Sequence, residues 1–173
     1  MRRLRWLWLL LTVGCSSIAT APPDGFDLTG VWRLDAAASD VAPAREHIVE
    51  PEHRRLPADG ARGPPPFRPS DFPLLLADTL VIEQDPQSMG IEYVGLGYRD
   101  VTFGEREWGG WKIEAGWDDA GELRVHMKRR GTAYEERYRL EAGGARLVVV
   151  ATVDTRRGER TVTRLFARDA TSP

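Results

Sequence analysis

Cysteine is almost absent from this sequence: Cys15 is the only one among 173 residues. A single thiol cannot form an internal disulfide, and zinc sites built from several cysteines are also excluded. Stability must therefore come from a hydrophobic core, and the chain is long enough for one domain with a core of ordinary size. Hydrophobic residues at 42% and charged residues at 29% are typical of a folded globular protein.

Lysine is also scarce. Lys112 and Lys128 are the only lysines, and the formal net charge of the chain is −2. An acidic chain with scattered arginines lacks the basic surface that attracts nucleic acid. We therefore expect no nucleic-acid partner.

Long hydrophobic runs are missing as well. The apolar run Trp6–Leu11 is too short to cross a bilayer, which takes about 20 residues. It follows three arginines within Met1–Arg5 and precedes the small residues Thr12–Gly14, which is the arrangement of a cleaved export signal. Loss of this leader would leave 21 basic and 26 acidic residues, a net charge of −5.

The end of this leader resembles the lipobox of bacterial lipoproteins, because Cys15 directly follows the small residue Gly14. The resemblance implies a signal peptide over residues 1–14 and lipid attachment at Cys15, which would bind the protein to a membrane. Residues 15–25 would then form a tether. Ser16, in the position after the cysteine, resembles lipoproteins sorted to the outer membrane, so we expect a location in the bacterial cell envelope, facing the periplasm.

Thr12 departs from the lipobox pattern, in which leucine is usual at that position. The alternative is an ordinary secretory signal that is cleaved nearer Ala19 or Ala21.

One domain is expected over residues 26–169, with a short tail at 170–173. A Pro-rich insertion interrupts it at about residues 36–75, where six prolines lie between Pro57 and Pro73. Proline disrupts both strand pairing and the interior of a helix. A loop of this length is either functional or disordered, and the sequence leaves that choice open.

From Leu76 to Arg168 the chain alternates between apolar and polar residues and is interrupted by Gly- and Asp-containing turns. In Trp111–Trp117 the odd positions are apolar, which is the period of a half-buried strand. The pattern predicts an all-β protein: an antiparallel up-and-down meander of eight or nine strands. Closing the meander into a barrel removes its exposed edges, whereas a two-sheet sandwich needs crossovers longer than these turns.

Both ends of the meander resemble the lipocalin and fatty-acid-binding-protein superfamily. Gly30-x-Trp32 resembles the Gly-x-Trp signature on its first strand, and Thr163–Phe166 resembles its basic–aromatic ending. The resemblance implies a calycin-type barrel that is closed by Gly30, Trp32 and Arg164, with the arginine stacked over the tryptophan. The pattern also resembles uncharacterised bacterial lipoproteins that carry a lipocalin-like domain.

Two departures limit the resemblance. The Pro-rich insertion stands where fatty-acid-binding proteins have a pair of helices. Phe166 stands where their Arg-x-Tyr motif has the tyrosine that helps to bind a fatty-acid carboxylate. We therefore assign Arg164 a structural role.

Signatures of catalysis are absent from the sequence, which has no Ser-His-Asp spacing, no phosphate-binding glycine loop and no Gly-x-Ser-x-Gly motif. His47 and His53 lie in the Pro-rich insertion without the spacing that places two ligands on one helix face, so we read them as a solvated polar loop. We expect no catalytic residues, no cofactor and no metal site, and hence no enzyme.

The adjacent residues Glu135 and Glu136 must point to opposite faces of a strand. If Tyr134 and Tyr138 point inward, Glu136 is buried and needs a partner such as an inward arginine. Among the tryptophans, Trp111 and Trp117 read as core residues, whereas Trp108 reads as an exposed rim contact. The candidate ligand-binding residues are therefore Trp108, Trp111, Trp117, Tyr134, Glu136 and Tyr138.

Two functions from different classes fit these features. The first is a lipid-anchored barrel that binds a small apolar or amphipathic molecule, with the Pro-rich segment as its rim or lid. The alternative is a barrel with a filled core that acts as a protein-interaction module of the envelope and has no ligand; the sequence names no protein partner for it. An interior of eight strands can be filled by side chains or can hold one ligand.

Overall fold

The structure is a computed structural model that describes residues 18–41, 72–155 and 158–170. The predicted signal peptide, Cys15 and most of the Pro-rich insertion, with His47 and His53, lie outside the described residues. No helix in the described ranges has the length and hydropathy that a membrane span requires.

Ten β-strands lie in the described ranges. They are β1 Gly30–Leu34, β2 Thr79–Gln84, β3 Ser88–Tyr93, β4 Gly97–Thr102, β5 Gly104–Trp108, β6 Trp111–Trp117, β7 Leu123–Arg129, β8 Thr132–Glu141, β9 Arg146–Thr155 and β10 Gly158–Arg168. Two short 3₁₀ turns, Pro73–Leu75 and Ala142–Gly144, accompany them.

Every paired strand runs antiparallel to its neighbour, and β1 pairs with both β2 and β10. The sheet order is β4-β3-β2-β1-β10-β9-β8-β7-β6-β5, so the two edge strands are β4 and β5, which follow each other in the chain. Only Phe103 separates them, which leaves a barrel that is nearly closed, with one seam between β4 and β5. The predicted all-β meander is confirmed, with ten strands in place of eight or nine.

Because neighbouring strands are antiparallel, one strand begins where its neighbour finishes, and the barrel has two distinct ends. We call the end where β1 begins and β10 finishes the closed end, and the opposite one the far end. At the closed end Trp32 is fully buried, and its indole N–H donates a hydrogen bond to the carbonyl of Leu28 at 2.8 Å. The guanidinium carbon of Arg168 lies 4.3 Å from the centre of the Trp32 ring.

The sequence assigned this stacking position to Arg164, but the structure places Arg168 there. The register explains the difference, because Trp32 pairs with Arg168 across β1 and β10. Arg168 also donates hydrogen bonds to the carbonyls of Asp27, Thr29 and Gly144. Gly30 belongs to the same contact, since a Cβ there would lie 3.1 Å from the Arg168 guanidinium.

Arg164 is buried four residues closer to the far end. Its Nη2 donates to the carbonyl of Ala77 at 2.8 Å and lies 3.8 Å from the exposed carboxylate of Asp78. Burial lowers the pKa of Arg164 despite Asp78. Arg164 therefore links β10 to the residues directly before β2 and does not contact Trp32 to close the barrel.

The far end is filled by the last residues of the predicted insertion. Phe72 and Leu74 are fully buried and Leu75 is 2% exposed, and the Phe72 ring lies 3.9 Å from that of Tyr134, centre to centre. We call Phe72–Leu75 the plug. The sequence assigned these residues to a loop, rim or lid because of their prolines, whereas the structure places them in the core.

The expected tether also contacts the barrel, from Ile18 onward. Ala19 and Trp117 exchange backbone hydrogen bonds of 2.9 and 2.8 Å, and the Phe26 ring packs edge-on against Trp117 at 5.9 Å. This segment therefore lies against the closed end, along the edge of β6.

Candidate functional site

Five polar side chains meet inside the barrel. Three alternate residues of β8 (Tyr134, Glu136 and Tyr138) face inward because successive strand side chains point to opposite faces, and all three are fully buried. Tyr93 of β3 and Arg99 of β4 reach them from across the barrel. We call these five residues the interior cluster.

Glu136 lies at the centre of the interior cluster. Its Oε1 accepts hydrogen bonds from the Tyr134 hydroxyl at 2.7 Å and from Arg99 Nη1 at 3.1 Å. Its Oε2 accepts from the Tyr138 hydroxyl at 2.7 Å and from Arg99 Nη2. Each carboxylate oxygen therefore already has two donors. The predicted buried acid with an inward arginine is confirmed, and the arginine is Arg99.

Arg99 itself was not predicted from the sequence. It stands between Tyr98, which is 67% exposed, and Asp100, which is also exposed, in a strand with little apolar alternation. The available signal was that Arg99 lies two residues before Val101 in the same strand, so both side chains point to the same face. Val101 is 1% exposed and faces inward.

Two donors of the interior cluster have no acceptor in the described part of the chain. They are the hydroxyl of Tyr93, a residue with 0% exposure, and the Nε–H of Arg99. Burial raises the pKa of Tyr93 and the nearby Tyr138 opposes this, but the two hydroxyls do not complete a hydrogen bond. A buried polar group without a partner costs about 1–3 kcal/mol, so these two atoms need an explanation.

Burial governs the electrostatics of the interior cluster. It raises the pKa of all three phenols, and the negative charge of Glu136 raises those of Tyr134 and Tyr138 further. Burial alone would lower the pKa of Arg99, but the Glu136 carboxylate keeps it well above the usual value. The interior cluster thus holds one cation, one anion and three neutral phenols, and its net charge is zero.

The seam runs beside the interior cluster, because Arg99 lies on the edge strand β4. The Arg99 side chain is 16% exposed, whereas that of Glu136 is 0% exposed. Arg106 on β5 spans the seam, where its Nη2 donates to the carbonyl of Asp100 and its Nη1 donates to the hydroxyl of Thr102 at 3.4 Å. Side-chain contacts therefore replace the backbone ladder at this point.

The three tryptophans predicted as ligand contacts do not join the interior cluster. Trp117 is buried at the closed end against Phe103. Trp111 is half-buried at the far end, 6.1 Å from the plug residue Phe72. Trp108 is 72% exposed at the far end, as expected, but it is the last residue of β5 and not part of a loop.

Depressions lined by described residues include two that lie away from the interior cluster. One, of about 260 Å³, lies on the outer face of β2, β3 and β4 beside Tyr98. The other, of about 180 Å³, lies beside the turn between β8 and β9. The interior itself is packed with the plug and the aromatic residues.

In the described ranges, no group of three or more His, Cys, Asp or Glu side chains is placed to hold a metal ion.

The solved structures that resemble this chain include three of similar size. A secretory abundant heat soluble protein from Ramazzottius varieornatus has a TM-score of 0.47 and 15% identity, over 82% of this chain and 95% of the other. A variant of the fluorescent protein UnaG has a TM-score of 0.48 and 17% identity, over 83% of this chain and 96% of the other. A zebrafish ileal bile acid-binding protein in complex with cholic acid has a TM-score of 0.45 and 13% identity, over 82% of this chain and 98% of the other.

No protein-family model matches the chain, and no curated protein matches it either. At the scores of the three solved structures, the likeness assigns no function to this chain. The class that the coordinates define is a ten-stranded antiparallel barrel with one seam and a polar cluster inside.

Proposed function

We propose that this protein is a lipid-anchored binding barrel of the bacterial cell envelope that takes up a small amphipathic molecule. The polar end of the ligand would reach the interior cluster, and its apolar part would take the place of the plug. Attachment through Cys15 would hold the protein on a membrane, with the periplasmic face of the outer membrane as the expected location.

The two unpaired donors of the interior cluster carry this proposal. A barrel that required only a filled core would be at least as stable with apolar side chains in place of a buried ion pair. Instead, the chain buries Arg99 and Tyr93 and leaves an N–H and an O–H without acceptors. Groups that are held ready for a ligand account for this arrangement.

The plug supplies a route to the interior cluster. Phe72 lies directly on Tyr134, and the connection from β1 to β2 that contains it is far longer than the tight turns between the other strands. Withdrawal of the Phe72 ring would expose Tyr134 and open an apolar space without breaking any pair of strands. The contact between Ala19 and Trp117 would hold the lipid-anchored N-terminal part of the chain at the closed end. The far end would then face the aqueous compartment.

The second candidate function is the filled-core interaction module, and a separate observation favours it. The large hydrophobic side chains that are exposed in the described ranges all lie at or near the far end. They are Val41, Val94, Leu96, Tyr98 and Trp108. Exposed apolar groups of this kind are common at interaction surfaces, and the packed interior is consistent with a barrel that needs no ligand.

Native mass spectrometry of the mature protein, gently extracted from its own membrane, tests the proposal. We expect a co-purifying small molecule and an intact mass that includes a lipid on Cys15. A folded barrel that carries no small molecule would instead support the interaction module.

The plug gives a second readout of the same proposal. Phe72→Ala should bind the neutral fluorescent probe N-phenyl-1-naphthylamine more tightly than the parent protein, because the probe would occupy the vacated space. Leu96→Ala is the matched control, since it removes an exposed side chain at the same end. Equal probe binding by all three proteins would contradict the route through the plug.

A further inference from the structure

We infer that the interior cluster selects ligands whose polar end is an uncharged hydrogen-bond acceptor, such as a ketone, ether or alcohol oxygen, and discriminates against carboxylates. The inference rests on the proposed function, because it names the ligand class of the same site. It follows from the polarity of the unpaired atoms and from the charge balance around them.

Both unpaired groups can donate a hydrogen bond, and the Arg99 Nε–H can only donate. The Tyr93 hydroxyl and the Arg99 Nε–H lack acceptors, whereas both oxygens of Glu136 already accept two hydrogen bonds each. The hydroxyls of Tyr134 and Tyr138 already donate their hydrogen bonds to Glu136. A ligand donor could therefore satisfy only the Tyr93 hydroxyl oxygen, whereas a ligand acceptor oxygen can satisfy the Arg99 Nε–H as well as the Tyr93 hydroxyl.

The charge balance decides between a neutral and an anionic acceptor. Arg99 is already neutralised by Glu136, with both of its Nη atoms on the carboxylate. A ligand carboxylate would place a second anion beside Glu136 in a buried site, where like charges disfavour each other strongly. A neutral oxygen accepts the same hydrogen bonds without that repulsion.

Arg164 is the other buried arginine, and it is not part of the interior cluster. Its Nη2 donates to the carbonyl of Ala77, and Asp78 is the nearest described carboxylate, at 3.8 Å. An anionic ligand attracted to the barrel would go to this arginine. Binding at Arg99 therefore predicts an uncharged ligand, whereas binding at Arg164 predicts an anionic one, and an experiment can separate the two sites.

A matched series of ten-carbon probes tests the inference: 2-decanone, 1-decanol, decanoate and decane, each used to displace N-phenyl-1-naphthylamine from the protein near neutral pH. We expect the ketone and the alcohol to bind about tenfold more tightly than decanoate and decane, the factor that one buried hydrogen bond is worth. Tyr93→Phe keeps the ring but removes the free hydroxyl, so it should lower the ketone affinity by about the same factor and leave decane unchanged.

Tyr98→Phe is the matched control. It also removes one tyrosine hydroxyl, but Tyr98 is 67% exposed and lies outside the interior cluster, so the variant should keep the stability of the parent protein and its preference for the ketone. Tyr93→Phe loses no intramolecular hydrogen bond and should remain folded, which a denaturant melt verifies.

Three outcomes would overturn the inference. Decanoate could bind as tightly as the ketone, and sensitivity of that binding to Arg164→Gln would place the anion at Arg164. Tyr93→Phe could bind the ketone as well as the parent protein does. In both cases ligand binding itself would stand. If no probe binds any variant, including Phe72→Ala, the proposed function fails together with the inference.

Discussion

At the scale of single residues, two arginines on one strand illustrate how position decides role. Arg164 and Arg168 are four residues apart on β10 and both point inward, but only Arg168 stacks on Trp32. Arg168 also bonds three carbonyls at the closed end. Arg164 bonds one carbonyl near the far end. The closing contact therefore belongs to Trp32 and Arg168.

A double-mutant cycle tests this pairing. Trp32→Leu and Arg168→Met should each lower the free energy of unfolding, and the double variant should lose about 1 kcal/mol less than the sum, because both single changes remove the same cation–π contact. Urea melts of the four proteins measure it. Trp32→Leu with Arg164→Met is the control pair, and its effects should add. Additivity in the Trp32–Arg168 cycle would rule out the stacking.

The sequence predicted Glu136 but not its partner, for a physical reason. Alternation within one strand decides which side chains face inward, so Tyr134 and Tyr138 place Glu136 in the interior. Arg99 reaches it from β4, a strand on the opposite side of the seam, and alternation within a strand carries no information about such a distant contact. The choice of Arg168 over Arg164 likewise depends on the register between β1 and β10, which are far apart in the chain.

At the scale of elements, the segment at Ala19 adds a short bridge to β6 in line with β5. Gly116 permits this approach, because a Cβ at that position would lie 2.4 Å from the Ala19 carbonyl oxygen and 2.1 Å from a methyl group of Ile18. The bridge holds the chain from Ile18 onward against the closed end.

Gly116→Val should therefore release the Ala19 segment while the barrel remains folded. Hydrogen exchange should show lost protection at the amides of Ala19 and Trp117, which bond each other's carbonyls in the parent protein. The amides of β8 and β9 should keep theirs. Ala120→Val adds the same kind of side chain in an exposed turn nearby and should change neither set. Retained protection at Ala19 would show that Gly116 is not what admits the segment.

Two elements were not recognised from the sequence, and both lack the alternation on which strand prediction depends. The residues of β5, at the seam, are half-buried or exposed, so their pattern does not predict a strand. The plug was read as loop because of its prolines, although Phe72, Leu74 and Leu75 pack into the core. Most of the other strands alternate, with β4 as an exception, since one face packs inward and the other meets water.

At the scale of the whole molecule, the barrel keeps three phenols neutral in its interior. Burial raises the pKa of Tyr93, Tyr134 and Tyr138 above the usual value of about 10. A group whose pKa is raised by folding contributes stability that is fully present below its unfolded-state pKa and is lost as the pH rises toward its folded-state value. In this protein the loss begins near pH 10, where the tyrosines of the unfolded chain ionise and the buried ones stay protonated.

The free energy of unfolding should therefore fall above about pH 10, by about 1.4 kcal/mol per pH unit for each buried tyrosine. Tyr93→Phe removes one of the three and should reduce the slope by about a third. Urea melts between about pH 9 and pH 11 measure it. Phe166→Leu is the control, because this buried ring has no hydroxyl and its loss should lower stability equally at every pH. An unchanged slope in Tyr93→Phe would mean that its phenol ionises as readily in the folded barrel as in the unfolded chain, and hence that water reaches the interior cluster.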